Sequence, residues 1–128
     1  MTAADYLAWE RQQERKHEFF GGEVFAMAGG SPRHNALCVK MSVSLEASLA
    51  SRGCTTFSSD QRIGLRGRRY VYPDVSVVCG KLETEPGADD VVVNPVIVVE
   101  VLSASTEQYD RGGKWDGYRS MRSLQARD

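Results

Sequence analysis

The stretch "VVVNPVIVVEVLSASTEQYDRGGK", Val91–Lys114, sets one acidic side chain, Glu100, near the centre of the most apolar run in the chain. An ionised carboxylate is costly to bury unless something positive meets it, so Glu100 either faces a cleft or has a partner. The run "NPVIVVEVLS" reads as a strand apolar on both faces, as expected where helices cover a sheet. Side chains alternate across a strand, so Glu100 shares a face with Val98 and Leu102.

A second apolar strand, "YVYPDVSVV", places Asp74 on one face with Tyr72 and Ser76. If the two strands are neighbours, the carboxylates of Asp74 and Glu100 approach closely, and their repulsion calls for a cation between them. A hard divalent ion held by carboxylates, carbonyls and waters suits such a pair, with Mg²⁺ favoured because it keeps part of its aqueous shell. An ion in such a site lowers the pKa of a bound water and polarises a phosphoryl oxygen, as phosphodiester hydrolysis requires. Lys114 follows a glycine-rich turn near the start of a helical segment, from which its amine can reach back to offset charge developing on a phosphate. Spacing alone leaves the plainer alternative open, two ordinary surface or salt-bridged acids.

The rest of the chain supplies the frame. "TAADYLAWERQQERK" opens with Thr2 three residues before Asp5, a capping-box pattern that starts a short helix. "HEFFGGEVFAMAGG" predicts a β-hairpin about Gly21 and Gly22. In "SPRHNALCVKMSVSLEASLASRG", Ser31 as N-cap, Pro32 at the first helical position and Gly53 beyond the end predict the main core helix. Leu37, Met41, Leu45 and Leu49 recur at steps of four and are expected to pack on a sheet. His34, alone in the first turn of that helix, reads as structural. "CTTFSSDQRIGL" and "RRYVYPDVSVVCG" predict a pair of strands separated by Gly67, "GKLETEPGADD" an acidic loop, and "STEQYDRGGKWDGYRSM" a further helix starting from Asp110.

With 128 residues, 41% of them apolar, the chain is sized for a single domain, residues 1–128, around one core. A net charge of −1 without blocks of like charge argues against strong non-specific binding to a polyanion. The local basic patch is "RIGLRGRRY", with Arg62, Arg66, Arg68 and Arg69, whose plainer reading is a solvated hairpin tip. Three cysteines, Cys38, Cys54 and Cys79, lack paired C-x-x-C spacing and are expected to be reduced core thiols. No run approaches the roughly 18 apolar residues of a membrane span, and the cytoplasm is the expected location.

As a set, "HEFFGGEVFAMAGGSPRHN", "FSSDQRI", "YPDVSVVCG" and "NPVIVVEVLSASTEQYDRGGKWDGYR" resemble the Uma family of restriction-endonuclease-like proteins, in the PD-(D/E)xK nuclease superfamily. The resemblance implies an α/β (α+β) domain: a central mixed sheet flanked by helices, preceded by a short helix and a hairpin. It further implies a Mg²⁺-dependent DNA endonuclease, with Mn²⁺ as substitute, whose metal ligands are Asp74 and Glu100 and whose catalytic set adds Lys114 and Glu18. The lysine that the superfamily places two residues after the second acid is replaced here by Leu102, and Lys114 maps onto an amine supplied from the following helix. Relatives usually continue beyond the "SLQ"-like segment, so a C-terminally truncated domain that pairs its sheet edge as a homo-oligomer is expected. Two other functions compete: an inactive remnant or interaction module, and a carboxylate-pair glycosidase, against which Lys114 argues.

Overall fold

The computed structural model of the chain describes residues 1–27 and 30–101, and the backbone of 126–127. Helix α1, Ala3–Glu10, starts as its sequence predicts, with the Thr2 hydroxyl accepting from the Asp5 backbone N–H at 3.1 Å. Strands β1, His17–Phe20, and β2, Glu23–Ala26, form the expected antiparallel hairpin. Its turn residues Gly21 and Gly22 hold φ of 60° and 79°, the left-handed region that glycine enters without a Cβ penalty. Helix α2, Pro32–Leu49, has Ser31 as N-cap, its hydroxyl accepting from the His34 N–H at 3.1 Å. A 3₁₀ turn, Ala50–Arg52, follows and ends at Gly53 with φ 79°.

The next strands are β3 Cys54–Phe57, β4 Arg62–Leu65, β5 Arg69–Val71, β6 Val75–Cys79, β7 Thr84–Glu85, β8 Ala88–Val92 and β9 Ile97–Val99. A short β10, Ala126–Arg127, runs parallel to β9. They form two mixed sheets, one ordered β2-β1-β5-β4-β8-β7 and the other β10-β9-β6-β3. The strand pair expected on either side of Gly67 is present as a ribbon broken at mid-length. Its tip half, β4 with β5, lies in the larger sheet, and its base half, β3 with β6, lies in the smaller one. The break falls at Tyr72–Asp74, where Pro73 has no N–H to give to a ladder. The segment read as an acidic loop instead forms the β7–β8 hairpin.

Side-chain alternation divides the core into two layers. Ala3, Tyr6 and Leu7 of α1 pack on Phe19, Tyr70, Ala88 and Val91 on one face of the larger sheet. Ile63, Leu65, Val71 and Val92 on its other face meet Val78 and Val98 of the smaller sheet. Helix α2 rests on β3 and β6 of the smaller sheet.

Three further expectations are corrected. The inward stripe of α2 is His34, Cys38, Ser42, Leu45 and Leu49, while Leu37 and Met41 stay 39% and 38% exposed and no residue of the helix is fully buried. Steps of four drift by about 40° each on a helix of 3.6 residues per turn, so four such positions do not share one face. Arg62 does not belong to a basic hairpin tip: it is buried, its Nε 2.9 Å from the Tyr72 hydroxyl and its Nη1 3.2 Å from Asp90. Cys54 and Cys79 are not free thiols but are joined by a disulfide across directly facing positions of β3 and β6, leaving Cys38 as the free cysteine.

Candidate functional site

Strands β6 and β9 are antiparallel neighbours, and Val75 opposite Val99 is the last ladder pair at one end. Asp74 precedes β6 by one residue and Glu100 follows β9 by one, so continuing the register one step sets the two acids opposite each other. At this end a carboxylate takes over the ladder: Asp74 Oδ2 accepts the Val101 backbone N–H at 2.6 Å. The Asp74 side chain is only 14% exposed, and Glu100 is half-buried.

The first two turns of α2 close over this strand end. His34 Nε2 lies 3.3 Å from Asp74 Oδ2, and its Nδ1 lies 3.7 Å from Cys38 Sγ, one turn further along the same face. Gly30 makes room for the ring, since a Cβ there would stand 2.6 Å from His34 Nδ1. The Cys38 thiol is pushed up to about 11, first by burial and then by the negative charges of Asp74 and Glu100. Both carboxylates therefore act on one small region. Ligand atoms of His34, Cys38 and Asp74 all lie within 4.8 Å of one another.

Glu18 is placed differently. It is buried on β1, and its Oε2 accepts the backbone N–H of Tyr72 at 3.1 Å, two residues before Asp74. The Tyr72 hydroxyl donates to Glu10 Oε2 at 3.0 Å and accepts from Arg62. Glu10 also accepts from the His17 backbone N–H at 2.6 Å and faces His17 Nδ1 at 2.9 Å. Asp90 on β8 receives both Arg62 and Arg11. Residues from α1, β1, β4 and β8 thus brace the segment that presents Asp74. Of the residues singled out in the sequence, Asp74 and Glu100 are brought together, Glu18 reaches them through the backbone of Tyr72, and Lys114 lies outside the described residues.

His34 and Cys38 carry the part of the site that sequence reasoning missed or read as structural. The four-residue spacing H-x-x-x-C on a capped helix was its available signal. Arg66 and Arg68 are exposed at the β4–β5 turn, and Arg69 lies 4.0 Å from the centroid of the Phe20 ring. No helix among the described residues is long and apolar enough to cross a membrane.

Two uncharacterised proteins of Synechocystis sp. are 39% and 36% identical to this chain over 126 residues, 98% of its length. The chain spans 65% of the first relative and 71% of the second. A crystal structure from Anabaena variabilis, titled as that of "a putative nuclease belonging to DUF820", matches 94% of this chain and 69% of its own with a TM-score of 0.76. At 17% identity, that likeness is one of fold. The family profile of Uma2, described as "Putative restriction endonuclease", covers residues 3–126, which with the two relatives makes this chain a member of the Uma2 family.

Proposed function

We propose that the chain is a divalent-metal-dependent DNA endonuclease whose centre is the Asp74–Glu100 pair. The observation that carries the reading is the β6–β9 register, which sets the two acids opposite each other at adjoining strand ends. Two half-buried carboxylates acting on one region are stable together when a cation is shared between them. Oxygen donors of this kind fit Mg²⁺ or Mn²⁺. When bound, such an ion supplies an activated water and polarises the scissile phosphate.

The chain's own residues do the rest. Asp74 is oriented by the Val101 N–H and by His34, and Glu100, one residue past β9, stands opposite it in the register. Glu18 fixes the Tyr72 backbone from which Asp74 projects. Lys114 is assigned the ammonium that steadies the attacking water or the developing phosphate charge. Membership of a family described as restriction endonucleases supports DNA as the substrate.

The test is plasmid nicking with Mg²⁺ or Mn²⁺ against EDTA, with Asp74→Ala and Lys114→Met beside the native chain. Nicking is expected to need the ion and Asp74, and Lys114→Met to lower the rate by roughly 10²–10³-fold, the usual effect of removing one preorganised donor. Equal nicking by Asp74→Ala, or in EDTA, would overturn the reading.

A further inference from the structure

The Asp74–Glu100 pair does not account for the side chains that α2 lays on it. His34 and Cys38 sit one helical turn apart on the half-buried face, with Asp74 beside them, and one ligand atom from each lies within 4.8 Å of the others. Imidazole nitrogen and thiolate sulfur are poor ligands for Mg²⁺ and good ones for borderline-soft ions. Bonds of about 2.0–2.3 Å in a tetrahedral Zn²⁺ site set neighbouring ligand atoms some ~3.3–3.7 Å apart. The 3.3 Å from His34 Nε2 to Asp74 Oδ2 already falls in that range, while Cys38 Sγ lies 3.7 Å from the other ring nitrogen, Nδ1, so one nitrogen ligates and the remaining gap, at most 4.8 Å, has to close. Rotation of the His34 and Cys38 side chains draws the sulfur and the ligating nitrogen together beside Asp74. Gly30 leaves the imidazole free to make that adjustment, and the Val101 N–H holds the carboxylate in place.

We propose that His34, Cys38 and Asp74 form a second metal site, selective for Zn²⁺ or a like ion, with water completing the tetrahedron. Asp74 belongs to both sites, so a borderline-soft ion held by α2 withdraws that carboxylate from the hard-ion centre. Zinc therefore acts as an inhibitor of the Mg²⁺-dependent reaction, a consequence that rests on the function proposed above, whereas the binding itself does not.

Co²⁺ replaces Zn²⁺ and reports its ligands by absorption, so the test is a Co²⁺ titration of the full chain without reductant, with Cys54 and Cys79 paired and Cys38 the one thiol. The native chain is expected to show a thiolate-to-cobalt band in the near ultraviolet and tetrahedral bands in the red, both bleached by one equivalent of Zn²⁺. Cys38→Ser should lose the near-ultraviolet band, and His34→Gln should bind at least tenfold more weakly while keeping its helix content. No thiolate band in the native chain, or the same band in Cys38→Ser, overturns the site. The inhibitory role is read separately, by nicking in Mg²⁺ at rising Zn²⁺ with each protein scaled to its own zinc-free rate. Cys38→Ser is expected to need at least tenfold more Zn²⁺ for half-inhibition, and an unchanged requirement overturns that role. Absence of all nicking would defeat the proposed nuclease function and the inhibitory role together, leaving the cobalt bands to judge the metal site.

Discussion

Cys38 is held in an unusual setting for a thiol on a helix surface: half-buried, beside an imidazole, and repelled in its ionised form by two carboxylates. Because the thiolate is the reactive form, a thiol pushed up to about 11 alkylates more slowly at pH 8 than an ordinary cysteine. Asp74→Asn removes one of the two charges and should speed the reaction of Cys38 with iodoacetamide, followed by mass spectrometry. Equal rates in the two proteins would mean that Asp74 does not act on the sulfur. That Asp74 and Glu100 lie together was legible from strand alternation and from a charged residue set in an apolar run. His34 was not, because nothing local distinguishes a first-turn histidine that reaches a strand end from one that faces water. Cys38 was legible as a reduced thiol but not as a neighbour of Asp74, which lies 36 positions away and meets it only through tertiary packing.

Among the elements, α1 depends on its ties more than on its length. Eight residues make a marginal helix alone, so its stability comes from Tyr6 and Leu7 in the core and from Arg11, just beyond its end, bonded to Asp90 at two distances of 3.0 Å. The Arg11 hydrogen bonds hold the Asp90 carboxyl below its ordinary value. A lowered folded value means that this contribution is present above about pH 3.9, the unfolded value, and is lost as pH falls through the folded one. Asp90→Asn should therefore destabilise at pH 7 by more than at pH 2.5, as judged by urea midpoints. A constant gap between the two pH values would contradict the assignment. Helix caps, the Gly21–Gly22 hairpin and the strand character of residues around Gly67 were all readable, because each rests on contacts within a few residues. The break at Pro73 carried a readable sign, a proline inside an apolar strand. The choice of which half pairs with which sheet was not local and went unread.

At the scale of the molecule, the described residues stack in four layers in the order α1, larger sheet, smaller sheet, α2, and Tyr72 stands where the two sheets part. Its hydroxyl joins Glu10 and Arg62, and its backbone joins Glu18, partners that lie 62, 10 and 54 positions away along the chain. Tyr72→Phe removes one hydrogen bond from each of two buried charged groups, Glu10 and Arg62, which keep His17 and Asp90 as partners, a loss of about 1–3 kcal/mol of stability. Bonds closed over such distances form late, so the change should appear mainly as faster unfolding with little change in the refolding limb of a chevron. A slowed refolding limb would place this network in the nucleus instead. The mixed α/β character and the flanking helices were legible in the alternation of apolar periods. The disulfide was not, since pairing Cys54 with Cys79 needs the register of β3 against β6.

The Arg11–Asp90 contact has a further bearing on how the protein is made, because its ends are 79 residues apart. During synthesis at about 5–20 residues per second, α1 emerges before β8, which carries Asp90 and Val91. Tyr6, Leu7 and the half-buried Trp9 therefore spend roughly 4–16 s outside the ribosome before the surface that shelters them exists. In that interval the apolar side of a helix too short to persist alone is open to the chaperones that meet nascent chains.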